Sequence, residues 1–549
     1  MSSAPRLGTR AMQDKTTTIL EMIDDETSVT KNCPMGVSSE EQHSEKEEHI
    51  AIPSIQSQSD QTNEERINHG RCYNPKDVAD SSMQKKVTKI KVALMHSSAH
   101  TTVLHRAMEF IHKDRDLLLA ALLDYCGFLR KTPSFLSVIS PKKASRKHLE
   151  SFHSSGYLDL LEYPAPGREH EPPATLPLHL LDAHGLTDDC PLPTGKKERA
   201  ALWKYILHVA GASLHAAKLL SSNEANVAIH WGGGRHHAHS SKAGGFCFVN
   251  DTVLALQHLQ SISNKLLYID IDIHHADGVQ NAFYDTDKVM TVSLHRHTPG
   301  FFPSHTGSIG EKGSFGTDGV GYNLNLPMPQ GCKDVDFFNT FQYALTQLLA
   351  ALSPEAVVLC VGADGLLDDP LVGNLDGWGL TPEGIADCVR FAAQACAENH
   401  KLLLLGAGGY HPARAARTFL LCTAAACDGA RPGMLSNELP KDVPRHEYFP
   451  RYGPNFMLIN ERPFLEEGRK GGEYGRTLWE AKKAIDLATV YIRSQNEKEN
   501  QGFNFDFSGS ELSSNGPNRA RELVPIRNGR RRRRRKGGTS IVTSDVASN

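Results

Sequence analysis

The chain has no CxxC pair anywhere; its 11 cysteines stand singly along 549 residues. That spacing argues against a disulfide framework and points to reduced thiols inside a cell. No N-terminal signal peptide is visible, and the longest apolar stretch, "LLLAALLDYC", is too short and too interrupted to span a bilayer. Nor is there an internal repeat, which removes solenoids and propellers. The formal charge of −3 favours no class of partner until it is localised. These absences lead to the expectation of a soluble intracellular protein with no membrane association.

What is present changes along the chain. Residues 1–86 are rich in Ser, Glu, Gln, Thr and Asn and lack periodicity, so they are expected to be a disordered extension. From "TKIKVALMH" to about residue 493, apolar runs alternate with helical patterns. The strand candidates are "VAIHW", "KLLYIDIDI", "VMTVSLH", "AVVLCVGAD" and "KLLLLGAGGY". The helical stretches include "FCFVNDTVLALQHLQ", "VDFFNTFQYALTQLLAAL" and "TPEGIADCVRFAAQACAE". Near-continuous apolar strands separated by helices predict an α/β domain over 87–493, a parallel sheet covered on both faces. Residues 494–549 read as a disordered tail with a basic run at 530–536, six arginines and Lys536.

In an open parallel sheet, ligands sit outside the carboxyl ends of the strands. The unusual polar clusters fall there: "DIDIHHADG" after "KLLYI", "GADG" after "AVVLCV", "GAGGY" after "KLLLL". Period-two alternation puts Asp270, Asp272 and His274 on one strand face, neighbours about 6.6 Å apart. A half-exposed strand with its polar face in water has the same signature. Here the neighbouring strands read as buried, and buried carboxylates need a metal or a partner. Asp272 and His274 suit a catalytic Zn²⁺ with an open position, and Asp364 is the natural third ligand. In "HWGGGRHHAHSSKAGGFCFVND", His236 and His237 sit in a glycine-framed loop. Buried carboxylates make good orienters of such imidazoles, and Asp270 and Asp277 are the candidates. Tyr410 in "LGAGGYH" presents a phenol, a weak signal by itself.

Together, "RHHAHSSKAGGFCFVND", "YIDIDIHHADGVQNAFY", "VMTVSLHRHTPGFFPSHTG", "LCVGADGLLDDPLVG" and "LLLLGAGGYHPARAAR" resemble the zinc-dependent histone deacetylases, the class I branch in particular, over residues 87–493. "PRHEYFPRYGPNFMLI" fits the same branch. The resemblance implies an arginase/deacetylase-like α/β fold with a central eight-stranded parallel sheet flanked by helices. It implies hydrolysis of N6-acetyl-lysine, in histones or other proteins, to lysine and acetate, with a role in chromatin or transcription regulation. The implied metal ligands are Asp272, His274 and Asp364, for Zn²⁺ with Fe²⁺ or another divalent ion able to replace it. His236 would pair with Asp270 and His237 with Asp277, and Tyr410 would hydrogen-bond the acetyl oxygen. Phe246 and Phe302 would wall a lysine tunnel beside Gly245, and Asp189 would hold the substrate backbone at the rim. Structural K⁺ or Na⁺ would bind at Asp270, Asp272, His274, Ser293 and Leu294, and at Phe283, Thr286 and Val289.

The chain departs from the family's pattern at Lys242 (usually glutamate), Asp188 (often aromatic) and Lys143 (in place of an inner-cavity arginine). These bear on substrate preference, inhibitor profile and acetate exit rather than on the reaction. The segment 104–138 also looks long. Members activated by inositol phosphate at a corepressor interface carry arginines where this chain has Pro370 and Ala413, with Arg414 adjacent. The expectation is therefore an enzyme that needs no corepressor, as in the stand-alone branch. Other readings are a deacetylase of a non-histone protein such as a cohesin subunit, an acetylpolyamine amidohydrolase, an arginase-type ureohydrolase, and a silent scaffold. The basic run, Arg530 to Arg535 with Lys536, predicts nuclear enrichment alongside a cytoplasmic pool, and would be the place for any nucleic-acid contact.

Overall fold

The computed structural model describes residues 90–167, 170–261, 263–367, 369–372, 378–435, 438–459 and 472–502. The N-terminal extension, most of the tail and its basic run lie outside the described residues. Eight strands form one sheet: β1 Val92–Met95, β2 Leu136–Ile139, β3 Val227–His230, β4 Leu266–Asp270, β5 Val289–Arg296, β6 Asn323–Met328, β7 Ala356–Val361 and β8 Lys401–Gly406. Their order is β2-β1-β3-β8-β7-β4-β5-β6, and every pairing is parallel. The expected α/β architecture is the one observed.

Alternation along the central strands splits the apolar side chains between two cores. Ile269, Leu359 and Leu404 enter one, with helices Asp334–Leu352, Pro382–Cys396 and Pro412–Ala430. Tyr268, Val358 and Leu403 enter the other, with helices Lys196–Ser221 and Asp251–Gln260. Both sheet faces are thus dry, which is why these strands read as continuous apolar runs. A parallel sheet also lines up all its carboxyl ends on one edge. Every cysteine among the described residues is free, and none of their helices is long and apolar enough to cross a membrane.

Several local expectations are corrected. The strand "KLLYIDIDI" ends at Asp270; only Ile271 donates one more bond, to the Cys360 carbonyl at 2.9 Å. Asp272 and His274 therefore belong to the loop leaving β4, where the N–H groups of Asp272, Ile273 and His274 donate to the carboxylates of Asp270, Asp364 and Asp272 instead of to a neighbouring strand. The helix in "FCFVNDTVLALQHLQ" starts only at Asp251, where Asn250 caps it by accepting from Val253 N–H at 2.9 Å. Strands β2 and β6 escaped the sequence reading: "LSVI" is short with an exposed Ser137, and Pro327 interrupts "NLNLPM". The last helix, Gly472–Gly502, runs past the boundary drawn at 493. The first compact unit ends at Glu497.

Candidate active site

Four neighbouring strands at the centre of the sheet, β3, β8, β7 and β4, deliver the chemistry from their carboxyl ends. The loop after β3 carries His236 and His237, and β4 and its exit carry Asp270, Asp272 and His274. Asp364 follows β7 and Tyr410 follows β8. Residues up to 174 positions apart in sequence, His236 to Tyr410, meet because neighbours in the sheet are not neighbours in the chain.

The ligand atoms of Asp272, His274 and Asp364 all lie within 4.8 Å of one another. Nδ1 of His274 is 3.0 Å from Oδ1 of Asp272 and 3.0 Å from Oδ2 of Asp364. All three are buried. Backbone donors aim the carboxylates: Gly408 N–H reaches Oδ2 of Asp272 at 2.8 Å, and Ile273 N–H reaches Oδ1 of Asp364 at 3.3 Å. Gly408 must be glycine, because a Cβ there would stand 2.0 Å from Oδ2 of Asp364. Burial and the neighbouring Asp272 charge push Asp364 up to about 6. Two buried carboxylates and one imidazole in this space fit a divalent cation, which removes the conflict between the like charges.

Beside the trio stand two imidazole–carboxylate pairs. His236 Nδ1 is 2.7 Å from Oδ2 of Asp270, and His237 Nδ1 is 2.7 Å from Oδ1 of Asp277. Asp270 also accepts from the Tyr268 hydroxyl and, at 2.9 Å, from Asp272 N–H. The two histidines are driven apart. Burial would lower His236, but the charges of Asp270 and Asp272 outweigh it and bring it to about 9. Burial and the His236 charge hold His237 at about 4 despite Asp277. Burial and the nearby Asp364 and Asp272 push the Tyr410 phenol well up, so it stays a hydroxyl donor.

The aromatic residues expected at the tunnel surround this centre. The Phe302 ring lies 5.0 Å from His237 and 6.0 Å from His274, and the Phe246 ring 5.7 Å from Tyr410. Phe301, which the sequence reading passed over, stacks on His274 at 5.3 Å. Asp189, expected at the rim, accepts Gly245 N–H on its Oδ2 at 2.5 Å. Of the monovalent-ion residues, Asp270 and Ser293 are register partners in β4 and β5, with Leu294 next along. Phe283 ends the helix Asp277–Phe283, its carbonyl accepting Thr286 N–H at 3.4 Å, and Val289 opens β5.

One departure falls. Lys143 is exposed and takes no part in the interior; the inner arginine is Arg115, 1% exposed, whose Nη1 donates to the carbonyls of Ala407 (2.9 Å) and Gly409 (3.4 Å). It sits at the start of helix Arg115–Tyr125, inside the segment that looked overlong. Lys242 and Asp188 are exposed. The sequence reading also missed Asp369, whose Oδ2 takes Tyr410 N–H at 2.9 Å, and Asp251, which holds Gly234 and Arg235 N–H at 3.0 and 2.7 Å. Both aspartates are visible in quoted motifs, "GLLDDP" and "FVND"; Tyr410 lies 41 residues from Asp369, whereas Gly234 and Arg235 share the quoted stretch with Asp251 and only the fold of that loop brings them to its carboxylate.

The sequence profile of the histone deacetylase domain matches residues 111–426. The chain belongs to the histone deacetylase family. Proteins named histone deacetylase 8 resemble it: that of Xenopus tropicalis is 34% identical over 364 residues, 66% of this chain and 89% of its own length. Histone deacetylase 6 of Arabidopsis thaliana is 39% identical over 323 residues, 59% of this chain and 63% of its own. Human histone deacetylase 1 is 35% identical over 337 residues, 61% of this chain and 63% of its own. The deacetylase is thus a hydrolase of the class I-like group, and its eight parallel strands form the arginase/deacetylase fold.

Proposed function

We propose that the protein is a zinc-dependent hydrolase of N6-acetyl-lysine in histones or other proteins. The observation that carries this is the buried meeting of Asp272, His274 and Asp364 beside the His237–Asp277 pair and the Tyr410 phenol. A zinc ion held by the trio would supply Lewis acidity and make a water acidic enough to attack an amide. The remaining work falls to the chain. Asp277 holds the Nδ1 proton of His237, which leaves Nε2 free to take the proton of the attacking water. His237 then hands a proton to the leaving lysine amine. Tyr410 donates its hydroxyl to the oxyanion that develops on the acetyl group. His236, oriented by Asp270, adds positive charge and positioning.

Phe246 and Phe302 would flank the lysine stem beside Gly245, and Asp189 would meet the substrate backbone. Structural K⁺ or Na⁺ would sit behind Asp270, Asp272 and His274 with Ser293 and Leu294, and at Phe283, Thr286 and Val289. Pro370 and Ala413 have no charge to offer an inositol phosphate, and Arg414 directs Nη1 to the Leu367 carbonyl at 2.6 Å. Activity without a corepressor follows. The setting we infer is chromatin or transcription regulation in the nucleus.

The test is turnover by the purified full chain on histone-derived and cohesin-derived acetyl-lysine peptides and on acetylpolyamines, before and after chelation and zinc repletion. Chelator-sensitive peptide hydrolysis without added partner is expected. Turnover confined to acetylpolyamines, or unaffected by metal removal, would overturn the reading.

A further inference from the structure

Asp277 has two carboxylate oxygens and two imidazoles. His237 Nδ1 faces Oδ1 at 2.7 Å, and His239 Nε2 faces Oδ2 at 3.2 Å. His239 is two residues beyond His237, in "HHAHSSK", where a tight turn reverses the chain. Its N–H donates to the Lys242 carbonyl at 2.9 Å. That turn is fastened from outside: Ser154 N–H donates to the Ser240 carbonyl at 2.9 Å, and His184 Nδ1 lies 2.6 Å from the Ser241 carbonyl. The His239 ring therefore lies along helix Asp277–Phe283, with Nδ1 3.5 Å from Oδ1 of Asn281 one turn after Asp277.

We propose that His239 is a positioning residue: it holds the second oxygen of Asp277 so that the first stays aligned on Nδ1 of His237. An ionised carboxylate only accepts, so both imidazoles present N–H groups to it. His237 is thereby fixed as the tautomer with a free Nε2 lone pair, the form that abstracts a proton. Without His239, Asp277, whose side chain is 14% exposed, would have one oxygen open to water and freedom to rotate about its Cβ–Cγ bond. The groups around His239 are Asp277, Asn281 and the Lys242 ammonium, and the hydrogen bond to Asp277 raises its pKa above the ordinary histidine value. Neutral or protonated, it offers Asp277 a donor. The side chain is 33% exposed, so it can be changed with little demand on the core.

The inference rests on the reading of His237 and Asp277 as the base pair of a deacetylase. Full-length parent, His239→Leu, His239→Gln, Asp277→Asn and the double variant His239→Leu/Asp277→Asn are compared by kcat, KM and metal content on an acetyl-lysine peptide. His239→Leu should lower kcat about three- to tenfold, the size of one lost hydrogen bond, with KM and metal content unchanged. His239→Gln, whose amide N–H reaches the same oxygen, should restore most of it. In the Asp277→Asn background, His239→Leu should add no further loss. Parent-level kcat in His239→Leu, no rescue by glutamine, or full additivity with Asp277→Asn would each overturn the proposal. If the parent hydrolyses no acetylated peptide, the functional reading fails instead, and proton NMR decides the positioning question. The Nδ1–H signal of His237, identified by its loss in His237→Ala, should move in His239→Leu and stay in His239→Gln; a signal unmoved in both would refute the role.

Discussion

Tyr410 and Asp272 fail in different ways when changed, and that difference tests the site. Tyr410→Phe keeps the ring between Phe246 and His112 but removes the hydroxyl. Turnover should fall by about 10²–10³ with full metal content, the typical cost of one oxyanion donor. His237→Ala should lose at least as much. Asp272→Ala removes a carboxylate that faces His274 at 3.0 Å and receives Gly408 N–H, so metal content itself should drop, read by elemental analysis beside the rate. Full zinc in Asp272→Ala, or parent turnover in Tyr410→Phe, would break the assignment. Asp369→Asn belongs with these. Its carboxylate receives Tyr410 N–H and Leu371 N–H, one on each oxygen. An amide has one oxygen, so one donor must face an NH₂ group; slower turnover with intact metal is expected.

Strand β3 delivers His236 and His237 through a glycine turn pressed against β8. Gly234 has φ +80°, and a Cβ there would fall 1.4 Å from the Gly406 carbonyl oxygen. Gly234→Ala should therefore push the β3 loop off β8, costing at least about 2 kcal/mol and lowering Tm by several degrees in calorimetry. An unchanged Tm would mean the two strand ends are not in contact. The strands themselves were largely legible, since both faces are buried and the runs are apolar throughout. β2 and β6 were not, because their exposed serine and their proline break the pattern. The end of β4 was also hidden: period-two alternation continues to His274, while the hydrogen bonds that define a strand stop near Ile271. Alternation reports which side chains are buried, and here the loop residues are buried too.

For the molecule as a whole, the metal should be a stability element. Chelation leaves Asp272 and Asp364 buried with opposed demands on their protons, so Tm should fall on metal removal and recover on zinc addition, in step with ligand linkage. The basic run beyond residue 529 carries a separate prediction: a chain ending at residue 525 should shift toward the cytoplasm by microscopy, and unchanged nuclear accumulation would refute the signal. Candidate residues were legible in the sequence where they crowd one short motif, as with Asp270, Asp272 and His274 in "YIDIDIHHADG" and His236 and His237 in "RHHAHSSK", since a local motif carries its own spacing. The parallel sheet was legible too, because burial on both faces leaves its mark on each strand. Only the tertiary structure decided that Arg115, and not Lys143, reaches the interior, that Asp369 holds Tyr410, and that His239 shares Asp277 with His237. Those partners meet across strands and helices distant in sequence, and a hydrogen bond between distant residues has no period for a sequence to show.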